Sequence, residues 1–260
     1  MFKLLTLAAL GLTFVHAQDN RRNVGTLTTN STQVVPLVII GEGWSQKIVL
    51  SNVDKTDSAV GTIQFYTKDG QPWTVETTSG TANTFLLNVS PGAVQTIETT
   101  VKQTPQVLGW ALITQTSNGL GDILGQTVFR KQTDGRADLM TSMVLADRAF
   151  QELLIYFDNT GGNYTGLGIL ISEFCTFSSC QGDEPYDVTI RDTTGTVISS
   201  KRIQQKRGRL YWMNLGVDFP ETNGKRGTFK VVSPNVNYLS GFSLQFAGNG
   251  AFTAITPYEN

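Results

Sequence analysis

Strand-like blocks occur twice in this chain, in the same order, and no other feature restricts the possible folds as much. Gly41-Glu-Gly-Trp-Ser-Gln-Lys-Ile-Val-Leu-Ser-Asn52 is answered by Thr160-Gly-Gly-Asn-Tyr-Thr-Gly-Leu-Gly-Ile-Leu-Ile171. Thr62–Gly70 returns as Asp187–Gly195, and Leu108–Thr114 as Arg226–Val232, at offsets of about 118–125 residues. A repeat of that length is large enough to enclose its own core. Two copies of one β-rich unit are therefore expected within the 260 residues. Charged side chains make up only 16% of the chain, so Ser, Thr, Asn, Gln and Gly must supply the polar surface. Thr favours strands and Gly favours turns, which suits an all-β fold.

Residues 1–17 have the layout of a secretory signal. Lys3 is the positive start, Leu4 to Val15 is an apolar run, and Val15-His16-Ala17 places a small residue before the expected cut. The run is short for a transmembrane helix, so a secreted, periplasmic or cell-surface protein is expected, without stable membrane insertion after cleavage. Cleavage removes one of the 20 basic residues and none of the 21 acidic ones, moving the formal charge from −1 to −2. That balance disfavours nucleic acid as a partner. Cleavage also removes the only histidine, His16. A Ser–His triad and His-based metal or haem sites are then excluded, and no cofactor is expected.

The two cysteines, Cys175 and Cys180, enclose Thr-Phe-Ser-Ser. In an exported protein such a pair is expected to form a disulfide, stabilising the short loop by roughly 2 kcal/mol. A zinc site is the other reading, with no His to complete it. The segment is an addition to the second copy, because the offset grows from 120 at Trp44/Tyr164 to 125 at Ile63/Val188. A clamped loop carrying Phe174 and Phe177 either restrains a long turn or contacts a ligand.

Alternation and turn signals divide the rest. Residues 18–33 form a polar leader, 34–146 a first β-sandwich and 147–260 a second one carrying the Cys-bearing loop. Ile48 and Leu50 share one strand face, as do Ile63 and Phe65, and Lys68-Asp-Gly70 is a hairpin signal. Pro36 marks its strand as an edge or a strand start. Seven or eight short strands per unit suggest tandem immunoglobulin-like sandwiches.

Few motifs carry chemistry. Asp54 and Asp57, and Asp183, Glu184 and Asp187, fall in expected turns, where Asp bonds its own backbone. A carboxylate pair spanning a cleft would permit glycoside hydrolysis. An exposed Trp73 or Trp110 would instead offer a stacking platform for sugar rings. The basic run Lys201, Arg202, Lys206, Arg207 and Arg209 could meet an anion, or could be a solvated hairpin.

The pieces Gly43-Trp44, Ile48–Asn52, Phe65–Pro72, Ser90-Pro-Gly92, Gly109–Thr114 and Gly125–Arg130, with Phe157–Gly162, Arg191–Gly195, Gly224–Thr228 and Gly250–Ile255, resemble those of tandem immunoglobulin-like β-sandwich units from exported, mostly uncharacterised proteins of environmental bacteria. The resemblance covers roughly residues 34–257 and rests on turn and strand markers, so it implies a fold and brings no catalytic residues. The Cys-bearing insertion departs from it. The expected function is non-catalytic interaction outside the cell, as a scaffold or a ligand-binding module for protein or polysaccharide. Carbohydrate binding through an exposed Trp and carboxylate-based glycoside hydrolysis are the alternatives.

Overall fold

The computed structural model describes residues 32–101, 105–116, 121–133, 135–145, 150–171, 182–234 and 239–259. The expected signal, residues 18–31 of the expected leader, and the Cys-bearing loop with Phe174, Cys175, Phe177 and Cys180 lie outside these residues. Thr32 and Gln33, expected in the leader, instead begin the first strand, paired with Thr114 and Ile113. The described chain is all-β. Its strands run β1 (Thr32–Ile40), β2 (Trp44–Asn52), β3 (Ala59–Thr67), β4 (Val75–Thr77), β5 (Gly80–Ala82), β6 (Thr84–Val89), β7 (Val94–Glu98), β8 (Val107–Gln115), β9 (Ile123–Lys131) and β10 (Leu139–Val144). They continue as β11 (Glu152–Asp158), β12 (Tyr164–Ile171), β13 (Asp183–Asp192), β14 (Val197–Lys206), β15 (Leu210–Asn214), β16 (Arg226–Val232), β17 (Leu239–Phe246), β18 (Phe252–Ile255) and β19 (Tyr258–Glu259). One helical turn, α1 (Leu215–Asp218), and a 3-10 turn at Pro220–Thr222 interrupt the pattern.

Four antiparallel sheets result. Sheet I has the order β10-β9-β2-β7 and sheet II the order β1-β8-β3-β6. Sheet III has the order β15-β12-β17-β18 and sheet IV the order β14-β13-β16-β11-β19, while β4 and β5 form a small separate ribbon. Replacing β1, β2, β3, β6, β7, β8, β9 and β10 by β11 to β18 in turn converts the strand orders of sheets I and II into those of III and IV. The three sequence matches fall on β2/β12, β3/β13 and β8/β16.

Period-2 alternation accounts for two of the cores. Between sheets I and II lie Ile48, Leu50, Ile63, Phe65, Ala111 and Ile113; between sheets III and IV lie Ile155, Phe157, Leu167, Ile169, Ile190 and Phe229. A third apolar layer joins sheet III to sheet II and to Trp44, Phe129 and Met143 of sheet I. Val34, Leu37, Ile39 and Trp110 meet Leu170, Leu210, Phe242 and Leu244 there. This seam explains why β1 and β12 are buried on both faces and read as continuous apolar runs. Within sheet III, Gly166 and Gly168 of β12 leave room for rings from the neighbouring strands β15 and β17. A Cβ on Gly168 would stand 2.0 Å from the Phe242 ring, and one on Gly166 would stand 2.5 Å from the Trp212 ring. Polar ties cross the seam as well: the Leu210 N–H donates to Lys68 O (2.8 Å) and the Ala254 N–H to Thr141 Oγ1 (2.9 Å).

Pro36 lies where the β1–β8 register shifts, between Val35 and Val38. A bulge on an edge strand is where a residue without an N–H can be accommodated. The buried Gln46 side chain serves the same strand. Its Oε1 accepts from the Ile39 N–H (3.1 Å) and its Nε2 donates to Leu37 O (2.8 Å). The expected turn over Asp183–Asp187 is corrected: these residues belong to β13, where cross-strand pairing with β14 holds them. No helix among the described residues is long and apolar enough to cross a membrane.

Candidate functional site: a cleft at the seam

Where the seam opens at one end it forms a cleft of about 800 Å³, lined from both sheet pairs. Its wall is an aromatic ribbon built by strand register. Tyr164 of β12 is paired with Phe246 of β17, and Phe246 with Phe252 of β18. Facing side chains at paired positions come into ring contact. Tyr164 and Phe246 stack at 4.6 Å with planes 7° apart, Phe246 and Phe252 lie 6.0 Å apart, and Phe252 meets Trp44 of β2 edge-on at 4.7 Å. Exposure grows along the ribbon. Trp44 is buried at 6%, the two Phe are half-buried, and Tyr164 is 43% exposed. Partial burial raises the Tyr164 hydroxyl above its ordinary range, so the ring stays neutral.

Polar groups rim this wall. Lys131, the cross-strand partner of Trp44, donates to the Glu42 carbonyl, and its ammonium lies 5.2 Å from the Trp44 ring centroid. Arg136 is exposed on the β9–β10 turn, and the Gly248-Asn-Gly250 turn closes the opposite rim. Asn214 also lines the cleft, but its Oδ1 accepts from the Gly216 N–H (3.2 Å) and caps α1. Among the described residues Glu42 is the only carboxylate in the lining. Trp212 also borders a second cleft of about 530 Å³, lined by Lys68, Asp69, Asp183, Lys206, Arg209 and Tyr211.

The sequence-derived candidates are placed elsewhere. Trp110 is 6% exposed, stacks on Tyr66 at 4.3 Å and donates its Nε1–H to Gly208 O (3.1 Å), so it ties the seam and presents no open face. Trp73 is half-buried against the first core, with its ring over Gly109. The basic run is largely engaged by acids and backbone. Lys201 donates to Asp218 O (3.3 Å) and lies over the Phe219 ring, and Arg202 lies 3.8 Å from Asp187. Arg207 Nε donates to Glu184 (2.7 Å), and Arg209 lies 3.8 Å from Asp69. Lys206 faces Asp183 across the β13–β14 pair and borders the second cleft.

The carboxylate clusters are likewise committed. The Asp54 carboxylate accepts the N–H groups of Thr56 and Asp57, and these bonds, Thr56 first, hold it below the usual carboxylate range. Glu184 is buried against Arg207. The described residues contain no group of three or more His, Cys, Asp or Glu side chains placed to hold a metal ion.

Tyr164, Phe246, Phe252 and Arg136 were not among the sequence candidates. A signal for one of them existed: Trp44 and Tyr164 are matched positions of the repeat, and the two ends of the ribbon are those two residues. Compared with known proteins, the chain matches no family model, and no curated protein is significantly similar to it.

Proposed function

We propose that this chain is an exported, non-catalytic binding protein of two tandem immunoglobulin-like sandwiches, acting at the cell surface or in the extracellular matrix, with the seam cleft as its ligand seat. The observation that carries this reading is the cleft itself: a concave wall of aromatic faces with a few polar groups, formed where two compact halves meet. Such junctions are common seats for ligands. The matching strand orders support a tandem pair. The standard immunoglobulin order places the first strand beside the second, whereas here the first strand of each half lies beside the strand corresponding to β8. The likeness is therefore one of layered architecture and not of strand order, since β6 also lies beside β3, and β9 lies beside β2 and not beside β8.

The non-catalytic reading is supported at the seam cleft, where Glu42 is the one carboxylate in the lining among the described residues and a glycosidase needs two. In the second cleft Asp69 lies 3.8 Å from Arg209 and Asp183 is paired across the strands with Lys206. Export is supported by the layout of residues 1–17. The test has two parts. Protein recovered from the medium or envelope of the producing cells should begin at Gln18, and labelled protein should bind envelope or matrix material saturably. The same protein should release no product from glycoside, ester or peptide substrates. Recovery of the intact chain from the cytoplasm, or turnover that survives repurification, would overturn the reading.

A further inference from the structure

We infer that the seam cleft binds an extended glycan chain, with a sugar ring stacked on the open face of Tyr164. This rests on the cleft being the ligand seat proposed above. Phe246 covers one face of the Tyr164 ring at 4.6 Å and 7°. The ring is nonetheless 43% exposed, so its other face is open to the cleft. A platform already held by a neighbour loses little freedom when a ligand lands on it. A pyranose has an apolar C–H face and a polar hydroxyl rim, and this wall offers both complements. The aromatic ribbon runs from Tyr164 back to Trp44, while Arg136, Asn249 and Glu42 supply the polar rim. The guanidinium of Arg136 can accept the geometry of paired hydroxyls or of a uronate carboxylate.

A peptide added as an extra strand fits less well. On β18, one of the edge strands that border the cleft, the Ala254 N–H is already bonded to Thr141. A purely apolar ligand would leave the charged rim without partners.

The experiment uses the chain from residue 18 onward, titrated with soluble neutral polymers (xylan, laminarin, mannan) and uronate polymers (alginate, polygalacturonate). Binding is read by calorimetry and by Trp fluorescence, since Trp44 and Trp212 line the cleft. At least one polymer should bind. Tyr164→Ala should weaken it about tenfold or more, Tyr164→Phe should keep most of the affinity, and Tyr258→Ala, an exposed Tyr outside the cleft lining, should change nothing. Arg136→Gln should weaken uronate polymers more than neutral ones. Circular dichroism of each variant establishes that it is folded. Absence of binding to every polymer, or binding indifferent to Tyr164→Ala, overturns the inference. If the protein still binds envelope material saturably in that case, the general binding role stands and only the glycan assignment falls.

Discussion

The two halves solve the same topological problem with different parts. Each has a first strand at or near a sheet edge, and its unpaired backbone groups need partners. In the amino-terminal half the Gln46 side chain reaches from sheet I to the edge of β1 and bonds Ile39 and Leu37. In the carboxy-terminal half the chain end returns as β19 and pairs with Leu153 and Leu154 of β11. The connections differ too. The amino-terminal half inserts the β4–β5 ribbon between β3 and β6, whereas β13 and β14 are joined by a tight turn in which the Asp192 carboxylate accepts the N–H groups of Thr194 (2.9 Å) and Thr196 (3.0 Å). Strand order and alternation survive between the halves, while edge closure and connections vary. The constraint thus lies in the sheet faces, where burial is large, and not in the links.

The comparison can be broken first at the cores. Phe65→Ala and Phe229→Ala, one in each half, should each cost about 3–5 kcal/mol. Because an apolar seam joins the halves, urea unfolding should show both lost in one transition. Two transitions, with each variant moving only one, would make the halves independent. At the seam itself, Leu244→Ala should cost about 2–4 kcal/mol and broaden or split that transition; an unchanged midpoint would mean the seam contributes little. Gln46→Leu leaves the Ile39 N–H and the Leu37 carbonyl buried without partners, at about 1–3 kcal/mol each. Removing residues 258–260, the counterpart closure in the other half, should cost only about 1 kcal/mol, since the pairing is two residues long. Equal losses from these two variants would show that the two closures are energetically equivalent.

The smallest effect is in acid. Burial alone would raise the Asp158 carboxyl, but hydrogen bonds from Thr160 and the nearby Arg226 outweigh it and hold it below the usual range. A carboxylate whose folded pKa is depressed contributes stability in full above its unfolded value, near 4, and loses it as pH falls through the folded value. Asp54 and Asp192 are also lowered, each first by its bonds to the threonine two residues on. Asp158→Asn should therefore flatten the fall of the urea midpoint between about pH 4 and pH 2. An acid limb as steep as that of the unaltered chain would place the linkage elsewhere.

Much of the strand pattern was legible. Ile48 and Leu50, and Ile63 and Phe65, point into the first core as their alternation requires. The short ribbon β4–β5 and the helical turn at Leu215–Asp218 were not, because three- and four-residue elements carry no periodicity. The site was mostly illegible. Trp110 and Trp73 attract attention as large amphipathic side chains, yet exposure depends on what packs opposite. Trp110 sits beneath Gly208 of the other half, while Tyr164, with nothing in its local sequence to distinguish it, lies open at the end of the ribbon.

By itself the sequence determined the all-β character, the phase of most strands and the doubling of one strand order, because alternation and turn chemistry act between near neighbours. Only the tertiary structure decided that Val34–Ile40 and Leu167–Ile171 would face each other, and where the cleft would open. An apolar outer face states that it must be covered but not by what, since burial is non-directional and its partner lies more than a hundred residues away.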